Sequence, residues 1–262
     1  MTAREAFRER EEFMRRNLIL AAVAMLALSS AGEAMAKASA SVISAVADKG
    51  RPEADTKRDG DRKPADMLDF AGVKAGQTVA DFLPGGGYFT RIFAKAVGPK
   101  GTVYALVPPS APDAKPNPIL AVAAEPTYGN IKVIEGNLGA LSLPTKADII
   151  WTAQNYHDLF LTRFKIDIAV ANRSIFYALK PGGYFIVLDH AAAAGAPLIA
   201  TAYTIHRIDP ALVRAQLEAA GFKYVGESAV LANAGDDHTK MVFDPTIRGH
   251  TDQFIYKFQR PK

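Results

Sequence analysis

The stretch Trp151-Thr152-Ala153-Gln154-Asn155-Tyr156-His157-Asp158 runs from apolar residues into a cluster of polar side chains that could move a proton. A neutral imidazole at His157 could take a proton from a hydroxyl or amine nucleophile near neutral pH. Tyr156 and Asp158 could orient it. The structural alternative is a histidine that caps a helix or is hydrogen-bonded in the core. A second stretch, Asp81-Phe82-Leu83-Pro84-Gly85-Gly86-Gly87-Tyr88, places three consecutive glycines after an acid. Glycine allows a sharp turn and close approach of a ligand to the backbone. The free N–H groups of a helix starting there would face that ligand. Asp81 suits orienting the turn and a cofactor amine better than acid–base work, and a plain tight turn is the alternative for the glycines.

Other polar groups carry weaker signals. Asn137 closes an apolar run, as a turn residue or as a ligand contact. His190 and the group Asp236-Asp237-His238 combine imidazole and carboxylate, which could hold a divalent metal. Adjacency in a loop does not supply coordination geometry, so no metal site is assigned, and a hydrogen-bonded lid or solvated loop is the preferred reading. His206-Arg207 and Arg248 could meet an acidic substrate, with surface ion pairs as the preferred reading.

The elements that must position these groups alternate. Pro64 suits the first turn of a helix carrying Met67, Leu68, Phe70 and Ala71. A buried strand begins at Thr78, and a helix over Tyr88–Val97 follows the glycine turn and stops at Gly98-Pro99. Strands are expected at Thr102–Val107, Ile131–Ile134, Ala147–Trp151, Tyr184–Leu188, Phe222–Glu227 and Phe254–Phe258. Between them lie a short helix over Ile119–Ala124, a long one over Arg163–Leu179 closed by Lys180-Pro181-Gly182-Gly183, and one from Asp209-Pro210 to Ala220, with Asp209 as N-cap. Alternating strands and helices predict an α/β fold: a Rossmann-like, seven-stranded, mostly parallel sheet with helices on both faces. In such a sheet ligands sit beyond the carboxyl ends of the strands. That rule gathers Gly85–Gly87, Val107, Asn137, Gln154–Asp158, Asp189 and His190 onto one rim.

Composition narrows the functional classes. The chain has 262 residues, 49% of them hydrophobic, and a net charge of +4 from 31 basic and 27 acidic residues. With no dense basic stripe interleaved with aromatics, nucleic acid is not an expected partner. There are no cysteines. That excludes disulfides, thiolate catalysis, cysteine zinc sites and a lipidated cysteine anchor.

Arg15-Arg16, an apolar run from Leu18 to Leu28 and Ala34-Met35-Ala36 read as a secretory signal over residues 1–36, too short for a comfortable membrane span. An uncleaved anchor or buried helix is the alternative. The arginine pair also weakly resembles a twin-arginine signal, and Met14 could be the true start. A periplasmic or secreted protein with no lasting membrane anchor is expected. Residues 37–63 are small, polar and charged, and read as a flexible lead-in, mobile or wrapped on the surface, to a domain over 64–262.

The order of elements, Leu-Lys-Pro-Gly-Gly before the fifth strand and Leu-Glu-Ala-Ala-Gly-Phe at Leu217–Phe222 resemble class I S-adenosylmethionine-dependent methyltransferases. Pro84–Arg91, Trp151–Leu159 and Asp236–Thr239 resemble a bacterial, often exported subfamily of predicted methyltransferases. The resemblance implies S-adenosylmethionine as cofactor, held by Asp81, Pro84, Gly85, Gly86, Gly87, Tyr88, Asn137, Gln154 and Asn155. It also implies a small-molecule acceptor facing His157, Tyr156 and Asp158. Two positions depart from the usual pattern. Leu83 replaces the first motif glycine and, with Pro84, is expected to crowd the methionine part of the cofactor. Val107 stands where an acid usually takes the ribose hydroxyls, a loss of roughly 1.5–3 kcal/mol. The second expectation, from another class, is therefore a non-catalytic periplasmic binding protein on this fold that has lost or altered cofactor use.

Overall fold

The computed structural model describes residues 38–110 and 113–262. The signal segment expected over residues 1–36 lies outside them. The core is one seven-stranded sheet. Its strands are β1 (Thr78–Phe82), β2 (Thr102–Val107), β3 (Ile131–Glu135), β4 (Ala147–Ala153), β5 (Leu179–His190), β6 (Lys223–Ser228) and β7 (Gln253–Gln259). They lie in the order β3-β2-β1-β4-β5-β7-β6. The first five run parallel, while β7 is antiparallel to both of its neighbours. Chain order reverses between β1 and β4, which opens a crevice at their carboxyl ends.

Alternate residues of each strand feed opposite faces. Val79, Trp151 and Ile186 pack on one side with helices α1 (Ala40–Val46), α4 (Pro64–Ala71), α5 (Tyr88–Val97) and α6 (Pro118–Ala124). Ala80, Ile150 and Phe185 pack on the other with α7 (Ile168–Ala178) and α9 (Pro210–Ala219). Burial on both faces explains why β1, β2 and β4 read as nearly unbroken apolar runs.

Four expectations change. The segment taken as a flexible lead-in is helical and anchored. It holds α1 and two single-turn helices, α2 (Glu53–Thr56) and α3 (Asp59–Arg62). Val42 and Ala45 are buried against the core. Its charges are paired: Arg51 forks onto Asp59 at 2.7 and 2.8 Å within the segment, and Arg91 of α5 donates to Asp55 at 2.9 Å. Helix α7 starts at Ile168 rather than Arg163, because Asp167 accepts from the Ala169 and Val170 N–H groups. Strand β5 absorbs Lys180-Pro181-Gly182-Gly183, since Gly182 and Gly183 pair with the Arg260 backbone at 2.8 and 2.9 Å. A further helix, α8 (Leu198–Ile205), occupies a stretch without an assigned element.

Gly101 turns the chain into β2 where no side chain fits. A Cβ there would lie 2.5 Å from Val97 Cβ and 2.7 Å from the Gln77 carbonyl oxygen. Gly101→Ala is expected to cost about 1–3 kcal/mol, because neither the core residue nor the backbone can retreat. Gly136→Ala, with nothing within 4 Å, should leave the calorimetric melting temperature nearly unchanged. Equal melting temperatures for the two variants would refute this reading of Gly101.

Candidate functional site

The glycine turn takes its shape from backbone signs. Gly85 and Gly87 have φ of 56° and 83°, and Leu83, in the position of the missing motif glycine, also has φ of 61°. The turn therefore keeps a left-handed residue at that position, at a cost of roughly 1–2 kcal/mol for a leucine. The Leu83 side chain packs partly into the α7–α9 face. Its carbonyl accepts from Asn155 Nδ2 at 3.0 Å, tying the β1 turn to the β4 turn.

A cavity of about 400 Å³ lies over this junction, the size of a small-molecule site. Asp81, Leu83, Pro84, Gly85, Gly86 and Tyr88 line its β1 side, and Gln154, Asn155, His157 and Asp158 its β4 side. Gly87 is not on the lining; its N–H bonds the Pro84 carbonyl at 3.0 Å. A second cavity of about 550 Å³ shares the Arg58, Arg62, Gln154, His190, Val242 and Phe243 walls and adds Arg248 and Gln253. Asn137 lies elsewhere, in a cleft of about 160 Å³ with Val107 and Glu135. Its side chain accepts from the Gly139 N–H at 2.8 Å, so it shapes its own turn.

Asp81 is buried and accepts a 2.6 Å hydrogen bond from Thr90 Oγ1. Burial pushes its carboxyl up to about 7, against the pull of that bond and of Arg62. Arg62 donates to Gln154 Oε1 at 2.9 Å and stacks on the Tyr88 and Phe89 rings at 4.5 and 4.9 Å. Burial and the neighbouring Arg58 lower its guanidinium to about 10.

His157 is buried at the cavity wall with Asp189 behind it. His157 Nδ1 lies 2.9 Å from Asp189 Oδ1, and the His157 backbone N–H donates to Asp189 Oδ2 at 2.8 Å. A carboxylate can only accept here, so Nδ1 carries the proton and the lone pair of the neutral ring sits on Nε2. Burial works against charging His157, but the Asp189 charge and hydrogen bond outweigh it and raise its pKa. His157 Nε2 faces His206 Nδ1 at 3.3 Å and Asp158 Oδ1 at 3.7 Å. His190 bonds Thr251 Oγ1 through Nδ1 at 2.7 Å, and burial drives its pKa down to about 4, which keeps it neutral.

Several assignments are corrected. Tyr156 cannot orient His157 from the cavity: it is fully buried, and its hydroxyl bonds Asn172 and Gln216 at 3.2 Å. Asp189 is the group that orients the ring. Arg207 is not a surface residue but a buried partner of Asp236 at 2.7 Å. The Asp236-Asp237-His238 side chains diverge: Asp237 binds Thr239, and His238 pairs with Asp252 at 2.9 Å. Sequence reasoning missed the contributions of Arg58, Arg62, Val242 and Phe243. Asp189 was placed on the rim from its position at the end of β5, but its contact with His157 was not foreseen.

No protein-family model matches the chain. It is 30% identical over 173 residues to the ubiquinone/menaquinone biosynthesis C-methyltransferase UbiE of Photorhabdus laumondii, covering 62% of each chain. It is 29% identical over 167 residues to UbiE of Hahella chejuensis, covering 62% of this chain and 63% of that one. The chain thus spans less than two thirds of the curated relatives it matches. Among solved structures it superposes on a SAM-dependent methyltransferase from Aquifex aeolicus with a TM-score of 0.53 and 20% identity, over 80% of this chain and 99% of that one. It matches the CcbJ methyltransferase of Streptomyces caelestis with a TM-score of 0.53 and 15% identity, over 78% and 90% of the two chains. Strand order, the glycine turn heading the sheet and these likenesses together identify the class I S-adenosylmethionine-dependent methyltransferase fold.

Proposed function

We propose that the protein transfers a methyl group from S-adenosylmethionine to a small-molecule acceptor. One observation carries the reading: a single cavity joins the Asp81–Gly86 turn to the oriented His157 ring. The residues fit the cofactor. Asp81 offers a buried carboxylate to its ammonium group, and the left-handed Leu83 preserves the turn that the glycine motif makes. Glu135, which pairs with Val107 across β2 and β3 and lines the same small cleft, is the acid nearest the position where Val107 stands. S-Adenosylmethionine supplies an electrophilic sulfonium methyl. The acceptor's electron pair forms the new bond to that carbon, and the methyl–sulfur pair returns to sulfur, leaving a neutral thioether. Proximity and alignment provide most of the acceleration. The His157 lone pair faces the acceptor side and draws off its proton as the bond forms. Export through the signal expected over residues 1–36, to the periplasm or outside, belongs to the same proposal.

Calorimetric titration with S-adenosylmethionine tests it. The cofactor's ammonium pairs with ionised Asp81, so below pH 7 binding must first expel a proton. Affinity is expected to rise about tenfold per pH unit from pH 5, roughly fiftyfold by pH 7, and then to level off. Asp81→Asn should flatten that profile. Absence of binding at millimolar cofactor would overturn the proposal in favour of the binding-protein alternative.

A further inference from the structure

The acceptor end of the cavity holds three donor atoms that methyl transfer does not require together. They are His157 Nε2, His206 Nδ1 and Asp158 Oδ1, all within 4.8 Å of one another. The separations from His157 Nε2 are 3.3 Å to His206 and 3.7 Å to Asp158. Ligands at about 2.0–2.1 Å from a tetrahedral zinc are spaced roughly 3.3–3.4 Å apart, so two edges of such a polyhedron are already close to length.

The support behind these atoms matches as well. Asp189 holds the Nδ1 proton of His157, which leaves Nε2 free to donate its lone pair. A carboxylate behind a ligating imidazole is the usual outer shell of a metal site. His206 is held in a left-handed backbone conformation, φ 56°, just past α8, with its ring 5.2 Å from that of Phe243 and 5.4 Å from that of His157. Strain of this kind persists where the surroundings over-determine a position. The opposing charge is Arg163, whose Nη2 lies 3.8 Å from Asp158 Oδ1 on a largely exposed side chain able to turn into solvent. Two imidazoles and one carboxylate suit zinc, cobalt or ferrous ions rather than magnesium or calcium.

We propose that His157, Asp158 and His206 bind a divalent cation of the zinc type, with Asp189 as the supporting carboxylate. The inference rests on the reading of this end of the cavity as the acceptor side; with the cation bound, the His157 lone pair holds the metal, and activation of the acceptor by the cation takes the place of proton removal by His157. The cation's open position faces the cavity and takes an oxygen of the acceptor. The acceptor class is then one with an ionisable oxygen, which coordinates as the anion and releases its proton to solvent.

The test is calorimetric titration of the chelator-stripped full chain with Zn²⁺, and with Co²⁺ for its visible spectrum. One equivalent with a tetrahedral cobalt spectrum is expected. His206→Ala and Asp158→Ala should each weaken Zn²⁺ binding more than about tenfold, a loss of the size seen when metal ligands or their supports are removed. Unchanged thermal melting of the apo variants checks their fold, and His238→Ala, altering an imidazole outside the site, should bind like wild type. No stoichiometric binding, or binding that survives His206→Ala, overturns the proposal. Because S-adenosylmethionine is titrated separately, cofactor binding without Zn²⁺ defeats only the metal site, and Zn²⁺ binding without cofactor defeats only the methyltransferase reading.

Discussion

Replacing His157 with glutamine is expected to lower kcat for methyl transfer by about 10²–10⁴-fold, the usual contribution of a positioned proton acceptor or its equivalent. Glutamine can still donate to Asp189, so the buried carboxylate is not abandoned, but it offers no imidazole lone pair toward the cavity. The affinity for S-adenosylmethionine should stay within about threefold, because Asp81 and the glycine turn are untouched. Asp189→Asn should act in the same direction through His157. An asparagine amide can donate to Nδ1, which favours the tautomer with the proton on Nε2 and removes the lone pair from the cavity. Its backbone contacts, to the N–H groups of His157 and His190 at 2.8 Å, ask for an acceptor that asparagine supplies only once. Some loss of stability is therefore expected with the loss of rate. Steady-state kinetics beside cofactor titration checks both variants. A His157→Gln enzyme within threefold of wild-type kcat would remove His157 from the chemistry.

Arg207→Leu should produce the largest loss of stability. Both side chains of the Arg207–Asp236 pair are fully buried, with Nη1 and Oδ2 2.7 Å apart. The guanidinium also donates to the carbonyls of Ala191 and Lys240 at 3.0 Å. Asp236 in turn accepts from the backbone N–H groups of His238 at 3.0 Å and Asp252 at 2.7 Å. One ion pair thus pins the long β6–β7 connection to the end of β5. Removing one partner strands the other charge in the interior, at a cost of about 3–5 kcal/mol. For a domain of this size that is a fall of roughly 6–20 °C in melting temperature. The same connection carries Val242 and Phe243 into the cavity wall, so ligand binding should weaken too. Differential scanning calorimetry is the direct measurement. A shift below about 3 °C would mean that the loop is held by something else.

The elements that could be read from the sequence are those whose signals are local. The β1 run ending at Asp81, the helix over Tyr88–Val97 and the Asp209 cap all appear where expected, because burial on both faces, a glycine stop or a capping carboxylate acts within a few residues. What was misread depends on partners far away in sequence. Arg51, Asp55 and Asp59 lie in the segment read as a flexible lead-in, yet Arg51 pairs with Asp59, and Asp55 and Asp59 reach Arg91 and Tyr88 of α5. Pro181-Gly182-Gly183 looked like a turn until the C-terminal strand paired with it.

The sequence alone determined a Rossmann-like sheet and one polar rim, since hydrophobic periodicity and turn chemistry act locally and the strand-end rule does the rest. It also placed His157 on that rim. Only the tertiary structure decided what surrounds it. The sheet sets Asp189 of β5 behind the imidazole, turns Tyr156 away into the core, and brings His206 from beyond α8 to within 3.3 Å. Those choices depend on strand register and on how a distant loop is tied down by a buried ion pair. Such relations between residues far apart in the chain have no counterpart in local pattern.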